Sequence, residues 1–356
     1  MRNEDIGREL HISPDTVRAH VRKAMARLDA DTRTEAVATA LCQQLISWAA
    51  EYDPGMPGHE TTVAAANVAI VHDKQANLVR FEQLAEEAAG QGATLLLLPE
   101  VGLQGYPDLG YLMDTPGSAE QKRYYFLEAE TVPGPATERL GRLCARLGLT
   151  IQLGLAERAL AGNVIYNSVA LIGPDGLIGS YRKLHNHFEY PYFNPGNDAP
   201  VLDLGFARAG ALICYDFCFP ELARSYALRG AELALVSTAW PLRGGDAATD
   251  YHAFSMDLAL QSTALLNQMW VLCSNHCEQG AYHGGDVNYY GASQIIDPFG
   301  HVVAKAGNEE GLLLHTADLR GEVLRARTEG MFGKNLLQDR RPDMYGPVAD
   351  DGYSRL

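Results

Sequence analysis

The chain has 356 residues, 47% of them hydrophobic and 21% charged, with 29 Lys/Arg against 44 Asp/Glu and a formal net charge of −15. That length holds one large domain with a small one, or two domains, and the composition is that of a globular protein rather than a disordered or fibrous one. No apolar run approaches the ~20 residues of a membrane span, and Met1 to Asp5 contain no apolar signal region, so a cytoplasmic protein without membrane contact is expected.

Charge is unevenly spread. Residues 1–50 hold seven basic and seven acidic side chains, so the whole −15 resides in the remainder. An acidic body argues against non-specific nucleic-acid binding by that part. The six cysteines are scattered, which in a reducing compartment means free thiols. The pairs Cys214/Cys218 and Cys273/Cys277 share a spacing wider than the usual zinc pattern, and no clear histidine pair accompanies them. Neither a metal nor a cofactor is expected.

In chain order, Asn3 can cap a helix over 4–10. Ser13 caps a second, with Pro14 at its first position and Asp15 in its first turn. Val17, Val21 and Leu28 share one face, and Arg18, Arg22, Lys23 and Arg27 lie elsewhere. A third helix covers 34–48. Short helices joined by a tight turn, the second carrying basic residues, suit a major-groove reader. Residues 51–61, rich in Pro and Gly, read as a linker. The expected organisation is thus a helical segment over 1–50, that linker, a large domain over 62–318 and an irregular tail over 319–356, placed at an oligomer interface.

Thr62 to Val71 reads as a strand. Phe81, Leu84, Ala85 and Ala88 recur at helical spacing, giving a helix over 76–89, and Thr94 to Leu98 is a short apolar strand. This is a βαβ unit with Glu100 at the carboxyl end of its second strand, the edge where open α/β sheets place ligands. A loop over 102–117, a helix over 136–147 and a strand over 150–156 follow. Residues 167–172 and 177–181 form a hairpin across Pro174-Asp175-Gly176, directly before Lys183. The loop over 185–197 is rich in His, Asn and aromatic residues and holds Glu189. A buried strand, 211–213, stops at Cys214, and a helix starts at Pro220. Then come a strand over 233–237, a helix over 251–267, a strand over 269–274, a hairpin over 293–306 and a last strand over 311–317. Two rounds of strands and helices predict an α/β fold in four layers, with two sheets face to face and helices outside.

Cys214 sits on a sharp strand-to-helix turn. A helix N-terminus near a thiol lowers its pKa and favours the thiolate nucleophile. The alternative is a buried cysteine acting as a small hydrophobe. Glu100, Lys183 and Cys214 all fall at strand ends. A thiol nucleophile needs a base, and a carboxylate whose pKa is raised by a hydrophobic pocket can serve. A lysine beside the pair can hold an oxyanion. Spacing alone also allows three unrelated surface charges.

Two resemblances sharpen these expectations. Residues 3–13, Thr16 to His20, Leu28, Arg33 and Glu35-Ala36-Val37 resemble the C-terminal half of a LuxR-type helix-turn-helix, whose first helix has no counterpart here. That resemblance covers residues 1–46 and implies DNA as a candidate partner. The alternative is an all-α appendage without DNA affinity. From 62 to 345 the chain resembles the nitrilase, or carbon–nitrogen hydrolase, superfamily. The markers are Pro99-Glu100 with Gly105-Tyr106, Tyr181-Arg182-Lys183-Leu184-His185, Glu189 before Phe193-Asn194-Pro195-Gly196, Ile213-Cys214-Tyr215-Asp216 with Phe219-Pro220-Glu221, and Asp339 to Tyr345.

This second resemblance implies an αββα sandwich, usually assembled into homo-oligomers, and a cofactor-free site. Glu100 would be the general base and Cys214 the nucleophile that forms a thioester. Lys183 and the backbone N–H of Tyr215 would stabilise the tetrahedral intermediate, and Glu189 would orient Lys183. Cys218 replaces a basic residue common at that place, which puts recognition of acidic substrate groups in doubt. Tyr215-Asp216 resembles the amidase and carbamoylase branches, whereas nitrilases commonly carry Trp-Glu there. A small amide or N-carbamoyl substrate is therefore expected over a nitrile, with a DNA-binding metabolite sensor as the alternative from another class. Candidates for substrate contact are Tyr106, His185, His187, Tyr190, Trp240 and His283. Asp216 and Glu221 read as structural.

Overall fold

The structure, a computed structural model, describes residues 13–27, 30, 60–107, 118–160, 164–187, 189, 192–243, 246–282 and 285–349. The chain divides into two compact units, 1–57 and 58–356. In the first, α1 (Pro14–Arg27) is the helix announced by Ser13 and Pro14. It buries Val17 and exposes Arg18, Arg22 and Lys23. The helices expected over 4–10 and 34–48, and the linker up to residue 59, lie outside the described residues.

The second unit opens with β1 (Thr61–Val68), α2 (Lys74–Gly90), β2 (Ala93–Leu97), α3 (Ser118–Glu128), α4 (Pro135–Leu147), β3 (Thr150–Arg158), β4 (Ile165–Gly173) and β5 (Gly176–Arg182). A second round follows: β6 (Val201–Asp203), β7 (Arg208–Ile213), α5 (Pro220–Leu228), β8 (Leu233–Thr238), α6 (Tyr251–Asn267) and β9 (Trp270–His276). It closes with β10 (Gln279–Tyr282), β11 (Gly285–Asn288), β12 (Gln294–Ile296), β13 (Val302–Lys305), β14 (Gly311–Ala317) and α7 (Leu319–Thr328).

Strands β1, β2 and β3 run parallel, as do β7, β8 and β9, because a helix crosses over between each consecutive pair. The sheet order is β5-β4-β3-β2-β1-β9-β8-β7-β6, with β14 beside β1 and the pair β12–β13 beside β9. Only Asn67↔Asn275 and Val68↔His276 join β1 to β9. The two halves are therefore free to fold face to face. Ser237 on β8 ties them together: its Oγ donates to Leu98 O at 2.7 Å and receives Gln152 Nε2 from β3 at 2.9 Å.

Alternation along the strands builds the layers. Val63, Ala65, Leu95 and Leu97 point into the core between the sheets, while Ala64, Ala66, Leu96 and Leu98 point outward onto α2 and α4. Asp73 caps α2 by accepting the N–H groups of Gln75 and Ala76, and Leu78, Phe81, Leu84, Ala85 and Ala88 form its buried stripe. Across the molecule, Tyr226 of α5 lies so close to β7 that a Cβ on Gly210 would fall 2.4 Å from its ring. The result is the expected four-layer αββα sandwich.

Two helices depart from the sequence reading. Residues 118–128, for which the sequence pattern predicts no element, form α3, and the stretch expected to be an irregular tail begins with α7. Asp318 caps α7, which buries Leu319, Val323 and Ala326. Among the described residues, no helix is long and apolar enough to cross a membrane.

Candidate active site

The carboxyl ends of β2, β5, β7, β8 and β9 converge, and each delivers a polar side chain. Glu100 follows β2, Lys183 follows β5, Cys214 follows β7, Thr238 ends β8 and His276 ends β9. Glu100, Lys183 and Glu189 are fully buried. Burying an ion costs several kcal/mol unless it is paired and hydrogen-bonded, and here both conditions are met. Lys183 Nζ donates to Glu100 Oε1 at 2.7 Å and, in a shorter contact, to Glu189 Oε1. Asn167 Nδ2, on β4, donates to the same two oxygens at 2.7 and 3.5 Å. Glu100 Oε2 accepts the Ala239 N–H at 3.0 Å. Glu189 also accepts Tyr106 Oη at 2.9 Å and the His187 N–H at 2.6 Å. Behind them, His276 Nε2 lies 2.7 Å from Glu100 O, and burial pushes its imidazole down to about 4.

These surroundings separate the two carboxylates. Burial, against the opposing pull of Lys183 and with the charge of Glu189, pushes Glu100 up to about 7. Burial pushes Glu189 the same way, but the charge and hydrogen bond of Lys183, helped by His187 and Tyr106, outweigh it and hold Glu189 below the ordinary carboxylate range. Lys183 stays charged: its two carboxylates more than offset its burial. Two carboxyl groups with pKa values driven apart around one ammonium form a proton acceptor beside a fixed charge.

Cys214 has φ +48°, a left-handed conformation unusual for a residue with a side chain. Asp216 braces this turn. Its carboxylate accepts the Ile213 N–H at 3.0 Å, Tyr181 Oη at 2.7 Å, and from His185 both the N–H at 3.0 Å and Nδ1 at 2.8 Å. Asp216 is thus the buried hydrogen-bonding group its sequence context indicated. Cys214 opens a short 3₁₀ helix, Cys214–Cys218, and the amide of Tyr215 in its first turn has no intrahelical acceptor.

The thiol departs from expectation. Of the two readings open for Cys214, a thiolate favoured by a helix N-terminus and a buried small hydrophobe, the first does not describe the resting group: burial and then the negative charge of Glu100 push the thiol well above its ordinary value, with only a partial offset from Lys183 and Thr238. The group at rest is a neutral thiol within the field of the Glu100 carboxyl group. Thr238 brings its hydroxyl next to it, and that oxygen has no nitrogen or oxygen partner among the described residues.

A cavity of about 390 Å³ opens over the thiol. Tyr106, His187 and Trp240 line it, as does the ring of Tyr215, 4.6 Å from that of His187. His185 does not line it. Its ring is stacked on Phe219 at 3.8 Å and its Nδ1 is held by Asp216, so it supports the turn instead of facing the cavity. Tyr190 and His283 lie outside the described residues. Sequence reasoning did not single out Asn167, Thr238, His276, Arg243 or His252, although the loops over 240–250 and 275–290, which hold Arg243 and His276, were expected to form the pocket. Asn167 carried a signal of its own, as a polar residue in phase with the inward-facing Val169 of β4.

With this geometry in view, residues 62–325 match the carbon–nitrogen hydrolase family. The chain belongs to that family. It is an enzyme, a carbon–nitrogen hydrolase. It is 36% identical over 283 residues to a protein from Pseudomonas protegens named as the hydrolase in the pqqF 5′ region, covering 78% of this chain and 87% of that one. Identity to the N-carbamoylputrescine amidase of Solanum lycopersicum is 34%, covering 80% and 93%, and to a citrullinase of Francisella tularensis 31%, covering 81% and 97%.

Among solved structures, a nitrilase-superfamily amidase of Nesterenkonia, determined as a cysteine variant, superposes with TM-score 0.63 at 26% identity, covering 82% of the hydrolase and 98% of that chain. Another form of that amidase, with TM-score 0.61 at 28% identity and covering 81% and 99%, shows acrylamide added at its active-site cysteine. Residues 1–40 of the hydrolase match the luxR family of bacterial regulatory proteins.

Proposed function

We propose that the hydrolase cleaves a small amide or N-carbamoyl compound through a thioester on Cys214. The observation that carries this reading is the buried cluster in which Lys183 holds both Glu100 and Glu189 at the foot of the Cys214 cavity. Cys214 Sγ attacks the carbonyl carbon while Glu100 takes the thiol proton. This transfer turns a carboxylate and a thiol into a carboxylic acid and a new C–S bond while the negative charge passes to the carbonyl oxygen, so the net charge of the site is unchanged. The oxyanion is held by Lys183 Nζ and the N–H of Tyr215. Glu100 returns the proton to the nitrogen, the C–N bond breaks, and ammonia or an amine leaves. Water then attacks the thioester with Glu100 as base. The C–S bond breaks, the thiol regains its proton and the acid departs. Glu189, Asn167 and Tyr106 are positioning residues that hold Lys183.

The test is ammonia release from a panel of amides, N-carbamoyl compounds and nitriles, by the enzyme and by Cys214→Ala. Release from amides or carbamoyl compounds that disappears in the variant supports the reading, whereas release from nitriles alone replaces it with nitrile hydrolysis. The five described cysteines are free, which fits a reducing compartment and hence the cytoplasm.

We further propose that α6 packs against a second copy of the chain. Tyr251, Phe254, Leu258 and Leu266 are 75%, 60%, 52% and 44% exposed and line a groove of about 1030 Å³ with Tyr345 and Val348. Scattered apolar exposure is ordinary, but a helical stripe beside a groove is not. Light scattering on Phe254→Glu with Leu258→Glu tests this, and an unchanged mass would refute it.

A further inference from the structure

Beyond the thiol, the cavity has a charge pattern that the chemistry above does not use. Its lining includes Arg243, His187, His252, Tyr251 and Cys218, and no aspartate or glutamate is among the described residues that line it. At its foot, the charge of Lys183 is compensated by Glu100 and Glu189. Arg243 is different. Its backbone N–H donates to Asp250 Oδ2 at 2.9 Å, and its exposed side chain makes no hydrogen bond or ion pair with any described residue. Asp250 is already committed as the cap of α6, accepting the N–H groups of His252 and Ala253 at 2.7 and 3.0 Å. The field of Arg243 reaches inward: burial, then Lys183 and Arg243, hold the His187 imidazole below its ordinary value against the pull of Glu189. In a chain of net charge −15 with 44 acidic residues, a cavity wall whose described residues include an arginine without an ion pair and no carboxylate is an electrostatic exception.

We propose that Arg243 is a specificity-determining residue that receives a carboxylate on the far end of the substrate. The hydrolase would then take small monoamides of dicarboxylic acids or N-carbamoyl amino acids in preference to neutral or ammonium-bearing amides. The proposal rests on the amidohydrolase reading and deepens it. A guanidinium offers a planar pair of donors that matches a carboxylate, and the same field repels an ammonium group. The cavity volume of about 390 Å³ suits a substrate of this size.

The experiment compares kcat/KM for glutaramate, its neutral isostere pentanamide and its ammonium counterpart 5-aminopentanamide. N-carbamoyl-β-alanine and N-propylurea form a second pair, which separates the two carboxylate sources. Each substrate is run on the wild type, Arg243→Gln and Arg243→Lys. A parallel calorimetric titration of glutaramate and N-carbamoyl-β-alanine into Cys214→Ala, with and without Arg243→Gln, reads binding without turnover. A charge-assisted pair at a partly solvated site corresponds to about a 10-fold preference. The expected result is that the carboxylate-to-neutral ratio is about 10 or more in the wild type for at least one pair. It falls to near one in Arg243→Gln, is partly kept in Arg243→Lys, and the binding titration weakens in parallel. A ratio near one in the wild type, a preference for the ammonium substrate, or a preference that survives Arg243→Gln would overturn the assignment while leaving the amidohydrolase reading intact. No turnover of any amide or carbamoyl compound would overturn both.

Discussion

Glu189→Gln separates the proposed role of Glu100 from a merely structural one. Glu100 and Glu189 both accept from Asn167 Nδ2, at 2.7 and 3.5 Å, so the two Oε1 atoms lie within about 6 Å of each other. At an effective dielectric constant of about 20, two like charges at that distance repel by about 3 kcal/mol, or about 2 pKa units. Removing the charge of Glu189 relieves that repulsion, and it also leaves Lys183 with Glu100 as its one anionic partner. Both changes favour ionised Glu100. The acid limb of kcat/KM reports the base of the free enzyme. It should stand near pH 7 in the wild type, where Glu100 is raised to about 7, and fall by about 1–2 units in the variant. The assay is ammonia release from a neutral amide between pH 4.5 and 9, so that the substrate does not titrate. The rate at the plateau will drop because Lys183 loses a charge partner, but the position of the limb does not depend on that amplitude. A limb that stays in place or moves upward would show that Glu100 is not the group whose ionisation gates attack.

Further outcomes follow from the same cluster. Lys183→Met leaves two buried carboxylates without their cation, and should cost about 3–5 kcal/mol in denaturant unfolding at pH 8. Both carboxyl groups would then have folded pKa values above their unfolded ones, so stability should recover as pH falls toward 5, which unfolding at several pH values checks. Gly154→Ala would place a Cβ 2.0 Å from Pro99 O. It should destabilise the protein by about 2–3 kcal/mol through overpacking and should also lower kcat by displacing Glu100. For residues 1–46, the balance of seven basic and seven acidic side chains over 1–50 predicts no retained complex with duplex DNA at physiological salt in a gel shift. A salt-sensitive complex that survives there would assign the segment to DNA.

The positions of Glu100, Lys183 and Cys214 were legible because each falls at the carboxyl end of a strand, and strand ends on one edge of a sheet meet in space. What lay outside the strands was harder to read. Glu189 sits in a loop without periodicity, and its place beside Lys183 came from resemblance alone. Asn167 was visible only as a polar residue in an inward-facing position. The thiol pKa was misjudged because a sequence reveals a nearby helix start but neither full burial nor the charge of Glu100. His185 looked like a pocket residue because its loop is aromatic and polar, yet Asp216 claims it. The helix α7 was hidden by its polar composition, although Leu319, Val323 and Ala326 lie on one face after the capping Asp318. Arg243 lay in a loop expected to form the pocket but had no mark of its own, since an arginine without an ion pair among the described residues is defined by what does not surround it.

The most direct test of the central claim is intact mass followed by peptide mapping of the enzyme quenched in acid during turnover of an amide substrate. The account predicts an acyl adduct confined to the peptide containing Cys214, formed with stoichiometric ammonia release and absent in Cys214→Ala. Full turnover with no adduct at Cys214, or activity that survives Cys214→Ala, would contradict it.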